Sequence, residues 1–150
     1  MQRAKRTPAG GALTDLMLEL FRATGLILTA GDRLVAPLGL TSARWQILGA
    51  IAAAERPQPV AWLARDLGAN RQNVQRIVND LSADGLVALE TNPHHRRAQL
   101  VVLTEKGKRA FEAAMDLQAP WVNELAAGLS LRDIATVRRV VTALRRKLEA

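Results

Sequence analysis

The chain has 150 residues, a hydrophobic content of 49% and a formal net charge of +7, which predicts one domain or two small lobes with a packed core and an anionic partner, most often nucleic acid. Because the sequence contains no cysteine, disulfides, thiolate catalysis, thiol redox sensing and cysteine zinc sites are excluded, and a cytoplasmic location is expected. No apolar run approaches the ~18 residues of a membrane span, and no apolar signal-peptide core follows the basic start MQRAKRTPAGG.

The N-terminal part is predicted to be a flexible tail followed by a long helix. Residues 1–11 are basic, and we expect them to form a tail able to touch phosphates. From Ala12 to about Val35, apolar side chains recur at the three- and four-residue steps of a helix. They are Leu13, Leu16, Met17, Leu20, Phe21, Leu28 and Val35. Pro37 and Gly39 then end the helix.

Two shorter helices are predicted next. Thr41 can cap the first, which ends at the segment ERPQP. Its inward residues are Trp45, Leu48 and Ile51. The second runs from about Val60 to Leu67, with an apolar stripe of Val60, Leu63, Ala64 and Leu67. Gly68 terminates it, and Asn70 can cap the following helix.

That following helix, from Arg71 to about Ala83, has one apolar and one polar face. The apolar residues follow the i, i+3, i+4, i+7 spacing and are Val74, Ile77, Val78 and Leu81. At about 100° per residue, the opposite face carries Gln72, Gln75, Arg76 and Asn79. Two helices joined by a tight turn, the first short and the second polar on its outer face, predict a helix-turn-helix. On that outer face, Gln and Asn can pair with adenine and Arg with guanine. We predict DNA contacts from Asn70, Arg71, Gln72, Asn73, Gln75, Arg76 and Asn79.

An ordinary solvated helix surface is the alternative explanation of these polar residues. Such surfaces are usually rich in Glu and Lys, whereas this one is rich in amides. No acidic residue occurs from Asn70 to Asn79, so nothing there repels a phosphate backbone. The composition therefore favours DNA contact.

Two short strands, LVALE and QLVVL, flank a strongly basic segment. It contains His94, His95, Arg96 and Arg97. A hairpin directly after a recognition helix is a wing, and its arginines suit a narrow minor groove. The histidines are expected to contact phosphate or support the turn. The alternative is a solubilising charged loop; a metal site is not expected, because adjacent histidines without a nearby carboxylate are a poor ligand set.

The C-terminal part is predicted to hold two helices. Thr104 caps the first, which runs from Glu105 towards Ala119 until Pro120 kinks or interrupts it. The last helix starts at Ser130, with Asp133 three residues on as a variant of the capping box. Its inward residues are Leu131, Ile134, Val137, Val141, Leu144 and Leu148.

These elements predict a mainly α fold with a small β wing. Residues 41–103 form a winged helix-turn-helix lobe for DNA binding, and residues 12–40 and 104–150 form a helical dimerisation region. A lobe of roughly 60 residues has little core to offer the apolar faces of the terminal helices. A symmetric dimer buries them and places two recognition helices about one DNA turn, ~34 Å, apart. The alternative is a monomer in which these helices cap the lobe.

Three motifs together carry a family resemblance. LGLTSARWQILGAI, PVAWLARDLGANRQNVQRIVNDLSADGLV and NPHHRRAQLVVLTEKG occur in this order and resemble the MarR family of winged-helix transcriptional regulators from about Leu38 to Gly107. The flanking helices match in length and pattern. The resemblance implies an obligate homodimer with intertwined N- and C-terminal helices on one palindromic site. It also implies a regulator that usually represses nearby genes and often releases DNA when a small phenolic or anionic ligand binds between the lobes.

The wing departs from the family pattern at one position. The family usually has an aspartate two residues before its key wing arginine, and here His95 stands in that place before Arg97. The aspartate–arginine pair that orients the family's wing is therefore missing. We expect this wing to be less rigid than the family's, while its positive charge is retained.

The ligand expectations rest on three residues. Trp45 is expected in the core, with pocket lining as the alternative, and Arg44 beside it can pair with an anionic ligand. Trp62 lies off the apolar stripe of its helix and covers an inter-lobe cleft or packs on another helix. Trp121 is expected to pack in the dimer region. No cofactor and no metal are expected.

The residues therefore predict a sequence-specific regulator of double-stranded DNA and not an enzyme. The two histidines lie in the wing, and no glycine-rich phosphate loop is present. Repression relieved by a small ligand is the favoured mode of action. The alternative is a ligand-independent architectural protein that compacts DNA, but binders of the backbone alone need Lys and Arg more than amides.

Overall fold

The computed structural model describes residues 3–149 and divides into two compact units that meet between Met115 and Asp116. The elements in chain order are α1 (Pro8–Val35), a 3₁₀ turn (Ala36–Leu38), α2 (Ser42–Ala53), β1 (Gln58–Pro59), α3 (Val60–Leu67), α4 (Arg71–Ala83), β2 (Val87–Glu90), β3 (Leu100–Leu103), α5 (Glu105–Ala126) and α6 (Leu131–Glu149). The predicted fold class, mainly α with a small β wing, is confirmed. Within the described residues, none of the helices has the length and apolarity to cross a membrane.

Helix α1 begins earlier than the sequence predicts. The Oγ1 of Thr7 accepts a hydrogen bond from the backbone N–H of Gly10 (2.9 Å), and Pro8 is the first helical residue. A capping threonine followed by proline is a helix start, and it outweighs the basic composition from which the tail was predicted. The predicted flexible tail is therefore wrong for residues 8–11, while Met1 and Gln2 lie outside the described residues.

A partly buried pair of hydrogen bonds connects α1 to α2. The carboxylate of Asp32 accepts a hydrogen bond from the backbone N–H of Ser42 (2.7 Å), and the Ser42 hydroxyl donates to the carbonyl of Leu28 (2.8 Å). The Asp32 carboxylate satisfies a free N–H at the start of α2, where the helix dipole also favours a negative charge. The capping of α2 by Thr41 is confirmed, because its Oγ1 accepts from the Arg44 N–H.

The helix-turn-helix forms with the predicted bounds. Gly68 ends α3 in the left-handed conformation (φ 60°), and the Oδ1 of Asn70 accepts from the Asn73 N–H at the start of α4. The predicted apolar stripe of α4 is buried. The opposite, polar side of the helix therefore faces away from the core. The core comprises Val35, Leu40, Ile47, Leu48, Val60, Leu63, Ala64, Val74, Ile77, Val78, Leu81, Leu86, Val87, Val101 and Ala114.

The hairpin belongs to a three-stranded antiparallel sheet with the order β1-β3-β2. Strands β2 and β3 pair with Val87 opposite Leu103 and Glu90 opposite Leu100. Strand β1, which the sequence analysis missed, adds to the other edge of β3 with Gln58 opposite Val101. Two residues containing a proline carry no strand pattern, and pairing with β3 alone makes them a strand.

Helix α5 continues through Pro120 to Ala126, so the predicted interruption is absent. A proline inside a helix removes the N–H that would bond to the carbonyl four residues earlier. Here that carbonyl belongs to Asp116, and both residues are exposed. Water can therefore satisfy the carbonyl, which reduces the cost of the proline.

The second unit contains the end of α5 and all of α6. Gly128 takes a positive φ of 83° in the connection, and the Oγ of Ser130 accepts from the Asp133 N–H (3.0 Å), which confirms the predicted start of α6. None of the described α6 residues is buried. On the predicted inward face of α6, Leu131, Ile134, Val137 and Leu148 are exposed and Val141 and Leu144 are half-buried.

A close approach joins the start of α5 to the end of the α4–β2 turn. The Thr104 hydroxyl donates to the carbonyl of Gly85 (2.6 Å) and accepts from the Gly107 N–H (3.0 Å), while the Thr104 N–H donates to the carbonyl of Leu86 (3.1 Å). A Cβ on Gly107 would overlap the Leu86 carbonyl oxygen. The backbones can approach this closely only when residue 107 is glycine.

We expect Gly107→Ala to destabilise the lobe by about 1–3 kcal/mol, because neither backbone carbonyl nor helix can yield without breaking the Thr104 bonds. Urea unfolding at matched protein concentration measures the loss. Gly11→Ala is the matched control: Gly11 is helical and its Cβ would meet nothing within 4 Å. The control should keep or slightly raise stability. Equal stability of both variants would contradict the close approach.

Candidate nucleic-acid interface

The exposed face of α4 carries the predicted base-reading side chains. Gln72, Gln75, Arg76 and Asn79 are all exposed, whereas Val74, Ile77, Val78 and Leu81 are buried. The outward orientation of the polar face is thus confirmed. Its contact with DNA stays a prediction.

Hydrogen bonds within this face orient its side chains. The Nε2 of Gln75 donates to the Oδ1 of Asn79 (3.0 Å), and a guanidinium nitrogen of Arg76 donates to the Oδ1 of Asn73 (2.6 Å). The first bond uses neither the oxygen of Gln75 nor the amide N–H groups of Asn79. These are an acceptor and a donor of the kind that the N6 and N7 atoms of adenine require.

The start of α4 combines a cap with a positive charge. The side-chain oxygen of Asn70 accepts a hydrogen bond from the Asn73 N–H (3.2 Å), so Asn70 caps the start of α4. Arg71 is exposed at the first helical position. The free N–H groups and the positive end of the helix dipole favour a phosphate at this end.

An ion pair holds the other end of α4. Arg44 on α2 donates to the Oδ2 of Asp84, the C-cap of α4, over 2.8 Å. Arg44 was predicted as a partner for an anionic ligand, but in this structure its guanidinium already has a carboxylate partner. The pair links α2 to the end of α4.

The wing tip is held by its own backbone and by Asn92. This residue is buried, and its Oδ1 accepts from the His94 N–H (3.0 Å) while its carbonyl accepts from the His95 N–H (3.2 Å). The carbonyl of His95 in turn accepts from the Ala98 N–H (3.1 Å). These bonds order the turn without the aspartate that the family pattern places at position 95. An asparagine before Pro93 is a turn signal that sequence reasoning could have used.

The cationic wing residues point to solvent. His94, His95, Arg96 and Arg97 are all exposed. Among residues 3–149, no carboxylate forms an ion pair with either wing arginine. Their charges are therefore not neutralised within the described chain.

The recognition helix and the wing meet at a small cavity. It has a volume of about 80 Å³, and its lining includes Arg71 and Gln75 from α4, Arg97 from the wing, and the start of α3 at Pro59 and Val60. Two permanent positive charges and one base-reading amide thus come together on one surface. Arg71 and Arg97 belong to separate segments of the sequence, and the pairing of the strands brings them to the same cavity.

The tryptophans predicted as ligand contacts occupy different environments. Trp45 is half-buried and packs against the core, as the first of the two expectations had it. Trp62 is 52% exposed, and the guanidinium of Arg65 lies 5.4 Å from its ring centroid. Within residues 3–149, no three His, Asp or Glu side chains gather as a metal site.

The helix pair α3–α4 and the hairpin β2–β3 define a winged helix-turn-helix protein. A family model described as the MarR family matches residues 38–98. The chain is 38% identical over 138 residues to an uncharacterized protein of Mycobacterium tuberculosis, covering 92% of this chain and 93% of that protein. It is 30% identical to the transcriptional activatory protein BadR of Rhodopseudomonas palustris, over 79% of this chain and 70% of BadR.

Solved structures agree with these relatives. The M. tuberculosis transcriptional regulator MosR in complex with DNA matches with a TM-score of 0.69 and 27% sequence identity, covering 86% of this chain and 97% of that one. The chain belongs to the MarR family of DNA-binding transcriptional regulators. Proteins of this family are regulators and not enzymes.

Proposed function

We propose that the protein is a sequence-specific regulator that binds a palindromic operator in double-stranded DNA as a homodimer. The observation that carries the proposal is the common surface formed by the amide-rich face of α4 and Arg97 of the wing, around Arg71 and Gln75. In this arrangement α4 enters the major groove, and the wing reaches the neighbouring minor groove.

The contacts divide into those that specify and those that position. Gln72, Gln75, Arg76 and Asn79 face the base edges, where amides read adenine and the guanidinium reads guanine. Arg71 and the N–H groups at the start of α4 bind phosphate. His94, His95 and Arg96 add phosphate contacts around the inserted Arg97. The phosphate contacts set the register of the protein but carry no sequence information.

Dimerisation follows from apolar surface that the single chain leaves uncovered. On α1, Phe21 is 71% and Leu26 74% exposed; on α6, Leu131 is 82% exposed and no described residue is buried. Large apolar side chains exposed to this extent along two helices are typical of an interaction surface. A second copy covers the same faces on both subunits by two-fold symmetry.

We further propose that the protein is a repressor controlled by a small phenolic or anionic effector. A dimer bound across a promoter excludes the transcription machinery, and an effector that favours another arrangement of the lobes releases it. BadR is named as an activatory protein. The position of the operator relative to the promoter therefore decides between repression and activation.

Selection of genomic fragments by the purified protein, at physiological salt and with excess nonspecific DNA, tests the proposal. We expect enrichment of one inverted repeat whose half-sites lie about one helical turn apart. The alternative, a ligand-independent architectural binder, predicts recovery of fragments without a shared motif. The amide-rich face of α4 argues for the first result.

The wing gives a separate prediction. We expect Arg97→Ala to weaken operator binding about tenfold to hundredfold, because it removes one minor-groove cation. The slope of log affinity against log salt should become shallower by about one. Arg22→Ala on α1 removes the same charge from an exposed pair with Glu19 and should leave both quantities unchanged. Unchanged affinity and salt dependence in Arg97→Ala would show that the hairpin is not a DNA-binding wing.

A further inference from the structure

A second, larger cleft lies within the N-terminal unit, where the wing meets the turn between α2 and β1. We call it the wing cleft; its volume is about 910 Å³, and its lining includes Arg56, Gln58, Trp62, His94, His95 and Leu100. None of these residues belongs to α4. The wing cleft shares Pro59 and Ala98 with the small cavity beside Gln75 and Arg97, so the two sites are neighbours with otherwise different linings.

The walls of the wing cleft are mostly apolar and flat. Trp62 supplies a large aromatic surface that is 52% exposed. Three prolines and Leu100 complete the apolar lining. A half-exposed tryptophan in a concave apolar site is an anchor for a flat ligand, because ring contacts combine area with defined geometry.

The rim of the wing cleft carries polar side chains, and Arg56 is its permanent cation. Arg56 is exposed at one side, and His94 and His95 are exposed at the other. One carboxylate, Glu55, lies among these residues. Arg65 stacks beside Trp62 and adds a further positive charge close to the ring. The rim therefore complements an anionic group on a bound molecule.

One polar atom at the wing cleft lacks a partner. The Oε1 of Gln58 is buried and accepts no hydrogen bond from any described residue. Gln58 is partly exposed and lines the cleft, and its terminal amide torsion is soft. Buried acceptors in native proteins normally have a donor, so the atom calls for an N–H or O–H group.

We propose that the wing cleft binds a small, flat, apolar anion that also carries an N–H or O–H donor. Its ring lies on Trp62, its negative group meets Arg56 and the wing histidines, and its donor bonds to Gln58. The site lies inside one lobe of one chain, and its existence does not depend on the proposed DNA binding. One wall is the wing itself, so a bound molecule connects the wing tip to the α2–β1 turn.

The probe 1-anilinonaphthalene-8-sulfonate has the three required features: fused rings, a sulfonate and an anilino N–H. We expect saturable fluorescence enhancement on the full chain with one site per subunit. In ¹⁵N-resolved NMR spectra of the unmodified protein, the indole N–H of Trp62 and the side-chain amide of Gln58 should shift with the same dissociation constant. Shifts confined to α1 and α6, with Gln58 and Trp62 unmoved, would overturn the proposal.

Variants separate the three contacts. We expect Trp62→Ala and Arg56→Glu each to raise the dissociation constant of the probe about fivefold or more. Gln58→Met removes the unpartnered oxygen and should weaken the probe without lowering the stability of the protein. Arg109→Glu, an exposed arginine on α5, is the charge-matched control and should leave binding within about twofold.

The uncharged analogue N-phenyl-1-naphthylamine tests the anion requirement, and it should bind more weakly than the sulfonate. Equal affinity of both dyes, or unchanged affinity in both Trp62→Ala and Arg56→Glu, would contradict the assignment. If the unmodified protein binds the dye at this cleft but selects no operator, the proposed function is contradicted and the proposed ligand site is not.

Discussion

Replacing Gln75 and Arg76 together by alanine is expected to lower affinity for the selected operator by at least about thirtyfold, because each side chain that pairs with a base edge contributes about 1–3 kcal/mol of discrimination. Affinity for unrelated DNA should fall much less, since Arg71, Arg96 and Arg97 still contact the backbone. The ratio of the two affinities, measured by fluorescence anisotropy at one salt concentration, is therefore the informative quantity.

The control for this double variant removes the same two kinds of side chain elsewhere. Gln46 is exposed on α2 and Arg22 is exposed on α1, so Arg22→Ala combined with Gln46→Ala has the same net charge as the α4 variant. It should retain the ratio of specific to nonspecific affinity. If the α4 variant also retains that ratio, the exposed amide face does not read sequence.

Placing two negative charges on the apolar side of α6 is expected to abolish the dimer. Ile134 and Val137 are 43% and 49% exposed in the single chain and follow the helical spacing of one face. In Ile134→Glu/Val137→Glu, burial of these positions against a second copy would desolvate unpaired carboxylates. The protein should then elute at the chain mass of 16.3 kDa instead of twice that value. Operator affinity should fall roughly 100-fold or more, because two linked recognition helices become one.

Thr136→Glu/Ala143→Glu is the matched control for the α6 variant. At about 100° per residue, positions 136 and 143 lie on the side of α6 opposite the Ile134–Val137 face, and both are exposed. This control adds the same charge but should remain dimeric and bind DNA. A dimer that survives in Ile134→Glu/Val137→Glu would mean that this face of α6 is not the interface.

The candidate interface followed from sequence wherever it depends on local periodicity. The α4 stripe of Val74, Ile77, Val78 and Leu81 is buried at the predicted spacing, so the polar face had to point outward. The caps at Thr41 and Asn70 were likewise readable, because a capping side chain bonds within three residues. Helix α1 starts earlier than predicted, because the Thr7–Pro8 start signal lies within the basic segment that suggested a tail.

Features that depend on distant contacts were not readable from the sequence. Strand β1 exists because β3 offers a free edge, and a two-residue strand has no periodicity of its own. The ion pair between Arg44 and Asp84 joins residues 40 positions apart, so neither local pattern announced it. The wing tip depends on burial of Asn92, which requires the completed sheet. The wing cleft joins two segments of the chain whose nearest lining residues, Trp62 and Asn92, lie 30 positions apart.

The amino-acid order alone determined which residues form helices, where most of those helices end, and which side of each meets a core, because these choices are made over three to seven neighbouring residues. Tertiary structure decided which polar groups neutralise one another, how Arg71, Gln75 and Arg97 come to line one cavity, and that Trp62 faces a cleft at the wing. Such juxtapositions arise when separate segments pack, and packing partners far apart in the chain leave no local trace in sequence.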